Sequence, residues 1–209
     1  MKNLVLLNNC NHSLPRTEDE KKVMLEEATI HYGSFLEALG FNWKEDENTK
    51  DTPKRVAKAW INDLVSGTNT EKPKVTTFPT NYTGIIFEGD IDVVSLCAHH
   101  NLAFTGIAYV GYIPGERVIG LSKLNRIVDW YSRRPQIQED LTQQIHDELS
   151  QLLENNKGVC VVIKAKHSCC SNRGIKHKSS MITSSVSGLF LENKDGCKDE
   201  FFKMIDHLR

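Results

Sequence analysis

The 209-residue chain is nearly charge-balanced, with 26 Lys and Arg against 27 Asp and Glu, and 39% of its residues are apolar. A dedicated nucleic-acid binder shows a strongly basic domain, so nucleic acid is not an expected partner, although a local basic pocket remains open. The opening "MKNLVLLNNCNH" holds an apolar run of four residues, against about 7–15 for a secretory leader and about 20 for a membrane span. The expected setting is therefore the cytoplasm, with no membrane contact.

The character of the chain changes near residue 80, which predicts an N-terminal helical region over 1–80 and a second region over 81–209. In "EDEKKVMLEEATIHYGSFLEALG", Val23, Met24, Ala28, Phe35, Leu36 and Leu39 recur at mostly three- and four-residue spacings, and Gly40 supplies a stop. "DTPKRVAKAWINDLVSG" predicts a helix with Thr52 as N-cap, Pro53 at its first position and Gly67 past its end, burying Val56, Trp60 and Leu64.

After residue 80 the period becomes two. "GIIFEGDIDVVSL", "LAFTGIAYVGYIP" and "GVCVVIKAKH" predict strands, the last with Val159, Val161, Ile163 and Ala165 on one face. Two helices separate the second and third of these. One carries Leu121, Leu124, Ile127, Val128 and Tyr131 on its inner face; the other carries Ile137, Leu141, Ile145, Leu149 and Leu152. A last strand, "SVSGLFLEN", and a short C-terminal helix complete an α+β fold, an antiparallel sheet with two helices on one face.

Six cysteines (Cys10, Cys97, Cys160, Cys169, Cys170 and Cys197) are too sparse for a disulfide framework and are expected as thiols, buried or metal-bound. Cys97 and His100 have C-x-x-H spacing, and His167, Cys169 and Cys170 follow at the end of the third strand. With His99 they make six candidates for a metal site. A catalytic zinc keeps three protein ligands and an open position. If residues 165–170 stay extended, His167 and Cys169 share a face and Cys170 points away. This reading gives zinc on Cys97, His100 and Cys169, with His99 and His167 left as acid–base groups. Ordinary buried thiols and hydrogen-bonded histidines are the plainer alternative.

Residues 155–191 carry six Lys and Arg and no Asp or Glu. Ser122, Lys123 and Arg126 lie at a helix N-terminus, where backbone N–H groups favour phosphate. Together these features predict a polyanionic small ligand. Gln138 and Glu139 begin the next helix. A carboxylate there ordinarily compensates the helix dipole; aimed into a pocket, it would accept paired N–H donors from a purine edge.

"CAHH", "YIPGERVIGLSKLNRIVDWYSRRPQIQEDLTQQI", "KHSCCSNRG" and "TPKRVAKAW" together resemble the GTP cyclohydrolase I family. The resemblance runs from about residue 50 to the C-terminus, making 81–209 a tunnelling-fold catalytic domain. It implies zinc on Cys97, His100 and Cys169, and acid–base roles for His99 and His167. It implies guanine recognition by Gln138 and Glu139, and triphosphate contacts from Ser122, Lys123, Arg126, Arg173, Arg55 and Lys58. It further implies hydrolytic opening of the GTP imidazole ring with release of formate, and a toroidal homodecamer with sites at subunit interfaces. The family's usual block is C-E-H-H, and Ala98 departs from it. Two rivals follow: a same-fold enzyme acting on another purine or pterin, or a catalytically silent zinc-stabilised oligomer.

Overall fold

The computed structural model describes residues 4–208, in two compact units divided between Glu71 and Lys72. The division precedes the change of period because a short strand at Thr77–Pro79 already pairs inside the second unit.

In the first unit, α1 (Glu18–Ala38) opens on a capping box. Thr17 Oγ1 accepts from the Glu20 amide and Glu20 Oε2 accepts from the Thr17 amide, satisfying two amides that the helix leaves over. Gly40, at φ +83°, follows the C-cap, as expected. The expected buried face is only half formed. Phe35 and Leu39 are more than half exposed, and Gly33 alone is buried. Trp43 sits against Gly33, where an added Cβ would meet the indole at 2.8 Å, and donates its Nε1–H to the Gly33 carbonyl.

Thr52 is the first residue of α2 (Thr52–Ala59), not its cap; the cap is Asp51. The helix loosens into a π turn at Trp60–Leu64 and continues as α3 (Ser66–Asn69). Gly67 therefore lies inside a helix instead of ending one, and Asn69 Nδ2 ties the segment together by donating to the Ile61 carbonyl at 2.9 Å. Pro53, Ala57 and Ile61 are buried, one position round from the expected stripe.

The second unit comprises β1 (Thr77–Pro79), β2 (Ile86–Cys97), β3 (Ala103–Ile113), β4 (Arg117–Ile119), α4 (Leu121–Ser132), β5 (Pro135–Gln136), α5 (Gln138–Leu152), β6 (Gly158–His167), α6 (Ser168–Ser171), β7 (Ser180–Val186), α7 (Gly188–Glu192) and α8 (Cys197–His207). β5-β2-β3-β6-β7 form one sheet, antiparallel except for the β5–β2 pair, and β1 pairs with β4 separately.

β6 shows how the sheet is sided. Val159, Val161, Ile163 and Ala165 face a core shared with α4 and α5, while Cys160 and Val162 face a second core shared with Phe190, Phe201 and Ile205 of α7 and α8. The expected pair of helices on one face is present, and the C-terminal helices cover part of the other.

Two readings fail locally. Leu121, the first residue of α4, is 68% exposed and lies off the inner face formed by Leu124, Ile127 and Val128. The stretch read as a last strand is instead the end of β7 followed by helix α7. Gly188, at φ +55°, breaks the alternation there, because a Cβ would strike the Lys157 carbonyl at 2.2 Å.

Candidate metal and proton-transfer site

Cys97 owes its place to a bulge at the far end of its strand. β2 pairs Glu88 with Val110 and Ile91 with Ala108, so β2 carries one extra residue there, and Asp90 adopts φ +52°. The extra residue reverses the parity. Ile86 faces the α4–α5 core before the bulge, and Ile91, Val93 and Cys97 face it afterwards. Without it, Cys97 would point to the opposite face.

β2 stops at Cys97, whose carbonyl accepts from the amides of His100 and Asn101. Asn101 takes a left-handed conformation, and the chain turns into β3 with Ala98, His99 and His100 exposed. The same end of the sheet receives His167, directly paired with Phe104 of β3 and stacked on it with ring centroids 4.6 Å apart and planes 9° from parallel.

The chain does not stay extended beyond His167, contrary to expectation. Ser168–Ser171 form a helical turn, and that turn, not strand alternation, carries Cys169 back to Cys97. The sulfurs are 3.8 Å apart, and Cys170 Sγ is 4.0 Å from Cys169.

Among the described residues, one ligand atom each from Cys97, His167 and Cys169 lies within 4.8 Å of the others. Two thiolates on one tetrahedral zinc, at about 2.3 Å each, stand about 3.8 Å apart, the separation seen here. Burial and the neighbouring thiols of Cys97 and Cys170 push the Cys169 thiol up to about 11. A cation between the sulfurs reverses that penalty, since a coordinating thiol is deprotonated outright. Both the spacing and the chemistry of these donors fit zinc.

His99 and His100 stand outside the group of three. His99 Nδ1 lies 3.7 Å from Cys97 Sγ. His100 Nε2 is in contact with Arg173 Nη1; the guanidinium can only donate, so this nitrogen is an acceptor engaged by Arg173. His167 has its pKa lowered, chiefly by burial, with the Glu139 carboxylate opposing. The neutral ring is thereby favoured, the form able to accept a proton or bind a metal.

Gln138 and Glu139, the first two residues of α5, differ completely in surroundings. Glu139 is exposed, whereas Gln138 is fully buried and its amide is hydrogen-bonded inside the protein. Ser122 and Arg126 are exposed in the first turns of α4, with Lys123 half-buried between them. Arg55 and Lys58 are exposed on α2 in the first unit. Phe104, the platform under His167, went unnoticed in the sequence. Strand register was the missing signal, since only pairing places Phe104 opposite His167.

Comparison with known proteins gives a consistent result. A family model described as GTP cyclohydrolase I matches residues 28–206. GTP cyclohydrolase 1 of Flavobacterium johnsoniae is 43% identical over 191 residues, covering 90% of this chain and 83% of that protein. GTP cyclohydrolase 1 of Bacteroides thetaiotaomicron is 41% identical over 192 residues, covering 88% and 94%. That of Wigglesworthia glossinidia brevipalpis is 38% identical over 207 residues, covering 97% and 94%. With matches over nearly the whole length, and with cysteines and histidines gathered at one end of the sheet, the chain belongs to the GTP cyclohydrolase I family.

Proposed function

We propose that the protein is a zinc-dependent GTP cyclohydrolase I. It opens the imidazole ring of GTP by hydrolysis, releases the C8 carbon as formate and rearranges the remainder to 7,8-dihydroneopterin triphosphate. The observation that carries this reading is the pair of sulfurs of Cys97 and Cys169, 3.8 Å apart with His167 beside them, in a chain of this family. Cys97, Cys169 and His100 would hold a zinc ion, which when bound would supply a water activated at neutral pH. His167, favoured neutral by burial, accepts and returns protons at the purine ring, and His99, beside Cys97, serves the ribose. General acid–base groups of this kind contribute about 10²–10⁴-fold.

The exposed Glu139 accepts the N–H groups of the guanine edge. Ser122, Lys123, Arg126 and Arg173 hold the triphosphate, which positions the base without taking part in the chemistry. Arg55 and Lys58 complete that cluster from a neighbouring subunit of a homo-oligomer, a decamer by the family resemblance. The protein works in the cytoplasm.

One observation favours a second ligand set. The clustered histidine is His167, while His100 is engaged by Arg173. Metal content of His100→Ala and His167→Ala decides between them. Loss of zinc in the first alone supports the set above; loss in the second alone exchanges the two roles.

The activity itself is tested by incubating zinc-replete protein with GTP and measuring formate and pterin fluorescence. Formate and pterin in equal amounts are expected. Turnover of another purine nucleotide but not GTP would replace the substrate. Bound zinc without turnover of any purine nucleotide would leave a silent oligomer.

A further inference from the structure

Gln138 is 0% exposed, and its amide is wired at both ends. Its nitrogen lies 3.0 Å from the Ile163 carbonyl, 3.1 Å from Thr183 Oγ1 and 3.3 Å from the Met181 carbonyl. Carbonyls only accept, so this end of the amide must be the donating NH₂ and cannot be the oxygen. The oxygen is thereby aimed the other way, at His167 Nε2, 2.9 Å distant. An amide oxygen donates nothing, so the proton between them belongs to His167 Nε2. In the neutral ring the lone pair is then on Nδ1.

The surroundings leave the side chain little freedom. Ile163 and Thr183 are cross-strand partners in β6 and β7, and Ala165 and Met181 pair two positions along, beyond Lys164 and Ile182. Gln138 therefore ties the first turn of α5 to both β6 and β7. Thr142, one turn later, bonds both the Gln138 carbonyl at 2.8 Å and Thr183 Oγ1 at 2.6 Å. On the other side, Phe104 fixes the plane of the His167 ring.

We infer that Gln138 is a positioning residue that holds His167 as its Nε2–H tautomer, making Nδ1 the nitrogen that exchanges protons or meets a metal ion. The side chain of Gln138 then has no free group for a ligand. This departs from the role implied by resemblance and leaves recognition of the guanine edge to Glu139. The inference rests on His167 being a working group of the proposed site, but its first test does not depend on turnover.

That test is nitrogen NMR of metal-free protein labelled with ring-¹⁵N histidine, with the His167 signal identified by its loss in His167→Gln. The unsubstituted protein should show the proton on Nε2 and a lone pair on Nδ1. A proton on Nδ1 would overturn the inference without any Gln138 variant having to fold. Gln138→Met, which fills the space but offers no oxygen, should let the ring populate both tautomers. It should also lower kcat for GTP by about 10–100-fold, the usual cost of losing a group that orients a site histidine, with KM nearly unchanged. A Gln138→Met protein with an unchanged His167 spectrum and a raised KM would overturn the inference in favour of direct substrate contact. Absence of GTP turnover in the unsubstituted protein would sink the proposed activity, and the tautomer result would stand.

Discussion

One face of the five-stranded sheet is closed by α4 and α5, the other by α7 and α8, and the two closures use different chemistry. Polar anchors run between helix and strand on the α5 side. Gln138 reaches three acceptors in β6 and β7, Thr142 meets Thr183, and Ser185 donates to Gln143. The α8 side is joined by rings. Phe201 is fully buried, edge-on to Phe87 at 5.4 Å and to Phe190 at 5.9 Å. Gly111 of β3 makes room for it, since a Cβ there would meet the Phe201 ring at 2.6 Å. Hydrogen bonds fix direction and register, whereas aromatic packing tolerates small rotations. The candidate site lies at the end of the face whose geometry is fixed by direction. Substitutions on that face should change chemistry, and substitutions on the other should change stability.

The largest effect tests the chemical face. Cys169→Ser should leave the protein folded but without zinc. Losing a group behind a ligand already weakens metal binding roughly 10–100-fold, so losing the ligand should exceed about 100-fold. Zinc content after gel filtration checks this, and full retention would remove Cys169 from the ligand set. His167→Ala comes next. GTP turnover should fall by about 10²–10⁴-fold while zinc is retained.

The packing face should respond in the opposite way. Phe201→Ala should cost about 3–5 kcal/mol, seen as a lower denaturant midpoint with an unchanged slope. Turnover per folded molecule should stay near that of the parent. Lost turnover at full foldedness would mean that the two faces are not separable.

How much of this was legible in the sequence depended on whether neighbours or tertiary partners decide a residue's conformation. β6 was readable to the residue because it is buried on both faces and its apolar run from Val159 to Ile163 is unbroken. "SVSGLFLEN" also carries a short apolar run, Leu189 to Leu191, yet Gly188 sits where the Lys157 carbonyl leaves no room for a Cβ, and the chain turns into α7. At the site, the sequence brought Cys97, His167 and Cys169 forward as candidates by residue type and spacing. The bulge that aims Cys97 and the wiring of Gln138 were not legible because they depend on pairing between distant strands, and the four-residue helical turn that returns Cys169 is too short to leave a periodic signal. The apolar spacing of α1 also overstated its burial: Phe35 and Leu39 fit the pattern and remain exposed.

The smallest predicted effect lies on the same face as the site, at the other end of β2. Burial raises the carboxyl of Glu88 above its ordinary 4.5, with a hydrogen bond from Asn125 opposing, and Oε2 is buried without a hydrogen-bond partner. A carboxyl with a raised native pKa binds more protons folded than unfolded between the two values. Stability therefore falls as pH rises through that window, and the cost persists at neutral pH. Glu88→Gln keeps an acceptor for Asn125 and removes the charge. Its melting temperature should be equal or slightly higher at pH 7, and the decline just above pH 4.5 should flatten. Turnover should not change, because the bulge that sets the parity of Cys97 is made by backbone at Gly89 and Asp90 and not by this carboxylate. If melting curves of parent and variant stay parallel from pH 4 to 8, the charge of Glu88 carries no cost. If turnover falls with the substitution, the bulge is held by its side chains, and the direction of Cys97 depends on Glu88 after all.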